Sequence, residues 1–137
     1  MRLPVGDHLK EEPRVAQLTT DEKVTVLHRI MAAKNLAFVR RDKAGYKVDI
    51  QCLTLGDARV LHMPGELVVE YQLAAKEMRP DLFVAMAAYA DYAAGYICLA
   101  KHYDEGGYEA SPRASRVSPK VESVLMAAME KLLGQPR

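Results

Sequence analysis

Three short segments hold side chains whose types and spacing could do chemistry. His62-Met63-Pro64-Gly65-Glu66 puts a carboxylate where a predicted strand ends and a predicted helix begins. Gly95-Tyr96-Ile97 follows thirty residues after Glu66, and Gly106-Gly107-Tyr108-Glu109 places a second phenol twelve residues after Tyr96. An ionised carboxylate is the form a metal needs, and a phenol beside a carbonyl can stabilise a tetrahedral oxyanion. The chain has no pair of histidines at metal-ligand spacing and no nucleophile motif to complete such a site. Gly106-Gly107 lacks the spacing of a phosphate cradle and reads as a turn.

The elements that must position these residues follow from periodicity. Residues 1–18 read as an irregular segment, punctuated by Pro4, Gly6 and Pro13, ahead of a single α/β domain over 19–137. Thr19 and Glu22 have capping-box spacing and predict a helix from about Thr20 to Lys34, with Val24, Leu27, Ile30, Met31 and Ala33 on its apolar face. Arg40–Gly45 reads as a solvated polar loop. Lys47–Leu55 alternates as a strand, Gly56-Asp57 turns the chain, and Ala58–Met63 forms a second, antiparallel strand. A helix is predicted over Gly65–Met78 and a strand buried on both faces over Leu82–Ala90. Together they make a parallel, right-handed βαβ unit. Tyr96–Ala100 is a short extended piece and 101–118 a polar loop. Ser118-Pro119 then starts a last helix that Gly134 ends. The predicted fold class is α/β in a mixed α+β sense: a small mixed sheet with one βαβ unit, flanked by about three helices.

In open α/β sheets ligands bind outside the carboxyl ends of parallel strands. His62–Glu66 and Tyr89–Tyr96 are two such ends. On this reading Glu66 sits at a helix N-terminus, where the dipole favours its ionised form. Each residue also has a plainer reading. Glu66 is then an ordinary first-turn glutamate, His62 a core or rim histidine, and His28 a helix-surface or boundary histidine. Tyr89, Tyr92, Tyr96, Tyr103 and Tyr108 are then packing residues with a polar handle.

Composition sets further bounds. The 137 residues suit one domain able to bury roughly 70% of its unfolded surface. Nineteen Lys and Arg against eighteen Asp and Glu give a net charge of +1, which is no footprint for nucleic acid or an anionic membrane. The longest apolar run falls far short of the roughly 20 residues that span a bilayer, and no signal peptide is visible. Cys52 and Cys98 read as buried free thiols.

The series Leu55-Gly56-Asp57, Met63-Pro64-Gly65-Glu66-Leu67, Tyr89-Ala90-Asp91, Gly95-Tyr96-Ile97 and Gly107-Tyr108-Glu109 resembles the C-terminal part of the catalytic domain of neutral/alkaline (non-lysosomal) ceramidases. The likeness covers roughly residues 46–133. No single motif carries it; their order and spacing together do. The resemblance implies a zinc held by two histidines, a glutamate and a tyrosine, with a bound water attacking an amide. It assigns Glu66 and Tyr96 as metal ligands and Tyr108 as the catalytic phenol that polarises the substrate carbonyl. Two departures stand out. Asp91 replaces an asparagine, and His8, His28, His62 and His102 do not occupy the family's histidine positions.

These readings make the chain the C-terminal portion of a zinc-dependent amidohydrolase acting on a lipid amide. They carry the expectation that it is inactive alone and binds zinc only with a missing N-terminal portion. The alternative is a non-enzymatic α/β module whose exposed apolar surface takes a partner or a second copy of itself. A further reading recruits His62 or His102 to a metal site built across a dimer.

Overall fold

The computed structural model describes residues 1–19, 23–90 and 94–134. In chain order its elements are α1 (Glu11–Thr19), α2 (Val26–Lys43), β1 (Gln51–Leu55), β2 (Ala58–Pro64), β3 (Glu66–Leu67), α3 (Glu70–Met78), β4 (Phe83–Ala90), β5 (Tyr96–Ile97), α4 (Ala100–Glu105) and α5 (Val121–Leu133). The mixed α/β class and the βαβ unit are present. β1 and β2 pair antiparallel across the Gly56-Asp57 turn, β2 and β4 pair parallel, and α3 makes the crossover between them. Among the described residues five helices accompany this sheet.

The core follows the apolar periodicity of the last helix and the inward face of the sheet. Val121, Leu125, Met129 and Leu133 recur every four residues along α5 and are buried together with Leu61, Met63, Val84 and Tyr71. The Tyr71 hydroxyl donates to the Cys98 carbonyl at 3.1 Å, which satisfies the one polar atom of that ring. The opposite face of the sheet is only partly buried among the described residues. Leu53, Leu55 and Phe83 are all exposed there, with Leu55 and Phe83 both in register with Ala58.

Several boundaries differ from the sequence reading, each for a local reason. The segment read as irregular holds α1, which the side chain of Glu11 ties to Arg40 (2.9 Å) and Lys43 (2.5 Å). Those partners, with Asp42 held by Arg2, keep Arg40–Lys43 helical where a polar loop was expected. The expected capping box falls partly on residues 20–22, outside the described residues. The observed N-cap of α2 is Thr25, and Thr19 instead bonds back to the Val15 carbonyl within α1. The buried face of α2 is Ala32, Asn35, Leu36, Phe38 and Val39, which leaves Leu27 and Ile30 exposed. β4 lies at a sheet edge and is not buried on both faces. Residues 100–105 form the short helix α4 inside the expected loop. α5 starts at Val121, two residues later than Pro119, after a turn in which the Ser118 carbonyl accepts from Val121.

Candidate functional site

The helix expected from Gly65 does not begin there, and this decides how Glu66 is held. Gly65 has φ +68°, a conformation that turns the chain out of β2 and starts the separate strand β3. A Cβ on Gly65 would lie 2.8 Å from Ile97 Cδ1 and 2.9 Å from the Gly95 carbonyl, so two backbones meet where only glycine fits. β3 pairs parallel with β5, placing Glu66 opposite Tyr96 and Leu67 opposite Ile97. The helix dipole therefore does not act on Glu66, because α3 starts at Glu70. What fixes Glu66 is the ladder: its N–H donates to the Gly95 carbonyl at 2.9 Å.

The partner strand is fixed with equal force. Gly95 has φ +75°, and a Cβ there would stand 2.1 Å from the Ala114 carbonyl. Tyr96 N–H donates to that same carbonyl at 3.1 Å, and Arg116 N–H donates to Ala94 at 3.0 Å. The segment 114–118 thus clamps β5 from the side opposite β3.

These constraints gather the phenols around one carboxylate. Hydrogen bonding to Glu66 pushes the Tyr96 phenol up to about 12, with desolvation and the carboxylate's charge adding to the shift. Tyr89 is raised for the same reason, led by its bond to Glu66. A phenol that donates to a carboxylate is held in its neutral form. Tyr108 packs edge-on against Tyr96, with ring centroids 6.0 Å apart and planes at 76°, and its own ring is exposed. Glu66, Tyr96 and Tyr108, the three residues singled out by spacing, therefore meet at one place. Tyr89 joins them and carries a left-handed backbone, φ +62°, with its N–H bonded to the Gly65 carbonyl at 2.8 Å. The sequence placed Tyr89 in a candidate ligand-binding strand end but gave it no individual role, because a tyrosine at the end of an apolar strand also reads as packing.

Two hollows adjoin the group. The smaller, about 150 Å³, lies among Gly65, Glu66, Tyr89 and Gly95. The larger, about 420 Å³, opens beside Tyr96 toward Glu70, His102 and Glu109. His102 Nε2 lies 3.4 Å from Glu70, so that histidine is engaged away from Glu66. His62 is exposed on β2 rather than in the core, because its alternation puts it on the strand face opposite Leu61 and Met63, and His28 lies on the surface of α2. Among the described residues no three His, Cys, Asp or Glu side chains are grouped as a metal site would need. Asp91 and Tyr92 lie outside the described residues. Cys52 and Cys98 are free thiols, and burial pushes both upward. No helix among the described residues is long and apolar enough to cross a membrane.

No protein-family model matches the chain, and comparison with curated proteins and with solved structures finds no match.

Proposed function

We propose that this chain contributes the carboxylate and phenol side of a zinc-dependent amide-hydrolysing site of the kind that neutral ceramidases use. The observation that carries the reading is the meeting of Glu66 and Tyr96 across the β3–β5 ladder with the Tyr108 ring on Tyr96. That convergence joins residues thirty and twelve positions apart in sequence, and packing alone does not require a carboxylate at its centre.

The donor chemistry fits two positions of a zinc site. Glu66 and Tyr96 offer adjacent oxygens, whereas a catalytic zinc takes three protein ligands. The reading therefore requires nitrogen donors from polypeptide other than the residues described. When bound, the metal supplies a water whose pKa falls to about 7. Tyr89 lines the hollow beside Glu66, where its phenol would orient that carboxylate as outer contacts do for a ligand. Tyr108, exposed and braced on Tyr96, presents a hydroxyl able to donate to an oxyanion formed from the substrate carbonyl.

Cobalt titration in imidazole buffer tests this, since imidazole furnishes the absent nitrogens. A saturable visible absorption is expected from the wild-type chain and is lost in Glu66→Gln and in Tyr96→Phe. Identical spectra from wild type and the double variant would sink the reading.

A second reading has its own observation. Leu53, Leu55 and Phe83 leave one face of the sheet apolar and exposed, a surface suited to another polypeptide. The chain is then an interaction module or homo-oligomer. Light scattering separates the cases: a monomer unchanged by Leu55→Asp and Phe83→Asp argues against the module.

A further inference from the structure

We propose that His8, Arg14 and Arg116 form a binding site for a phosphate dianion, where the segment leading into α1 meets residues 114–118. The site is separate from Glu66 and does not depend on the amide-hydrolysis reading. Arg116 is only 7% exposed. Its Nε–H donates to the Asn35 side-chain oxygen at 2.9 Å, a neutral partner. Among the described residues no carboxylate makes an ion pair with Arg116 or with Arg14. A buried guanidinium without a counter-charge is strongly destabilising, so such a position calls for an anion.

The backbone brings the three side chains together. Gly6 N–H donates to the Arg116 carbonyl at 3.0 Å, and Ser118 N–H donates to the Pro4 carbonyl at 2.9 Å. The His8 ring folds back over Gly6, where a Cβ would meet its Cε1 at 2.5 Å. His8 Nε2 and Arg14 Nε are both buried with no hydrogen-bond partner. Orphaned buried polar atoms of this kind mark the place of a water or an ion. Arg14 keeps one contact, from Nη1 to the Gln17 side-chain oxygen at 3.2 Å. Burial holds His8 below its ordinary value; the Ser115 backbone opposes this and the Arg14 charge adds to it. Asp7 and Arg116 act more weakly on the same ring, in opposite senses. Burial also lowers Arg116. Asp7 is exposed and pairs with neither arginine.

Charge and donor chemistry select the ligand. Two permanent cations match a dianion, whereas a carboxylate would neutralise only one of them. Hydrogen phosphate also carries both acceptor oxygens and a P–OH, so it suits Nε2 in either tautomer of the ring.

Calorimetric titration with inorganic phosphate at about pH 8 and constant ionic strength tests the assignment. Saturable binding with a dissociation constant below about 1 mM is expected, and acetate should bind at least about tenfold more weakly. Arg116→Gln should weaken phosphate about tenfold or more. Arg14→Gln, at a half-buried position, should weaken it about tenfold and carries the test if Arg116→Gln does not fold. Glycerol 3-phosphate separates two sources of the same chemistry. Affinity equal to that of phosphate assigns a phosphomonoester, and a loss of about tenfold or more assigns the free ion. No saturation by phosphate up to about 10 mM, equal binding of phosphate and acetate, or unchanged phosphate binding in Arg14→Gln overturns the proposal. Glu66→Gln keeps phosphate binding while losing cobalt, so failure of the metal site and failure of the anion site give different results.

Discussion

Gly95→Ala is the substitution that most directly probes how the site is held. The added Cβ would stand 2.1 Å from the Ala114 carbonyl oxygen, far inside contact distance, and the residue would keep φ +75°. The left-handed backbone alone costs about 1 kcal/mol for an L-residue. The clash cannot be relieved by a side-chain rotation, because the atom struck is backbone. β5 must move away from segment 114–118, which strains or breaks the 3.1 Å bond from Tyr96 N–H to Ala114, worth about 1 kcal/mol. Overpacking contributes about 1–3 kcal/mol more. The sum is about 3–5 kcal/mol, and at about 4 °C per kcal/mol for a domain of this length the melting temperature falls by about 12–20 °C.

Gly45→Ala is the matched control. Gly45 has φ +77° with no atom within 4 Å of its would-be Cβ, so only the backbone cost applies and the fall is about 4 °C. Calorimetry gives both melting temperatures, and near-ultraviolet circular dichroism reports the packed tyrosines. The reasoning is refuted if the two variants melt within about 2 °C of each other.

Other outcomes follow from named contacts. The Tyr96 phenol is neutral-stabilised, with an ordinary value near 10 in the unfolded chain and about 12 when folded. Its contribution to stability is therefore fully present below about pH 10 and is lost as pH rises toward 12. Glu66→Gln should lower the Tyr96 midpoint and flatten that alkaline loss, read by ¹³C-tyrosine NMR and urea unfolding; an unmoved midpoint contradicts the pairing. Asn35→Ala removes the acceptor of the buried Arg116 Nε–H (2.9 Å) and should cost about 2–3 kcal/mol in urea unfolding. Tyr71→Phe strips the buried donor from the Cys98 carbonyl and should cost about 1–2 kcal/mol by the same measurement. Tyr89→Gly should leave thermal stability level or higher while weakening cobalt binding about tenfold; a large loss of stability would assign Tyr89 to packing.

The parts of the fold legible in sequence are those set by a simple period. The alternation over Lys47–Leu55, of which Gln51–Leu55 is strand, the Gly56-Asp57 turn and the apolar run ending at Ala90 give three strands in the correct sheet, and the repeat from Val121 gives α5. The errors fall where a long-range contact outweighs a local pattern. Glu11 holds Arg40 and Lys43 in a helix that their charges alone would place in a loop. Gly65 and Glu66 resemble a helix start, but the Gly95 carbonyl captures Glu66 N–H and makes a strand. The meeting of Glu66 with Tyr96 was readable as spacing and resemblance. Its cause, a two-residue parallel ladder between glycines, has no local signature. The amphipathic cleft toward Glu70 and Glu109 was not readable at all, since it depends on where α3 and α4 stand relative to β5.

Backbone strain favours a site over a packing cluster around Glu66. Tyr89 is the one non-glycine residue among those described with positive φ, and for a bulky side chain that costs about 1–3 kcal/mol. A packing role would have to recover that cost through burial, yet Tyr89 is 73% exposed. What the conformation does achieve is specific: its N–H reaches the Gly65 carbonyl, and its ring shares the small hollow with Glu66. The glycines at 65 and 95 make the same point from the other side, because each permits an approach of backbones that brings Glu66 and Tyr96 into register. One strained residue and two close approaches open only to glycine thus border one carboxylate. The strained backbone at Tyr89, beside that carboxylate and with little burial to offset it, supports the proposal that Glu66 faces a ligand.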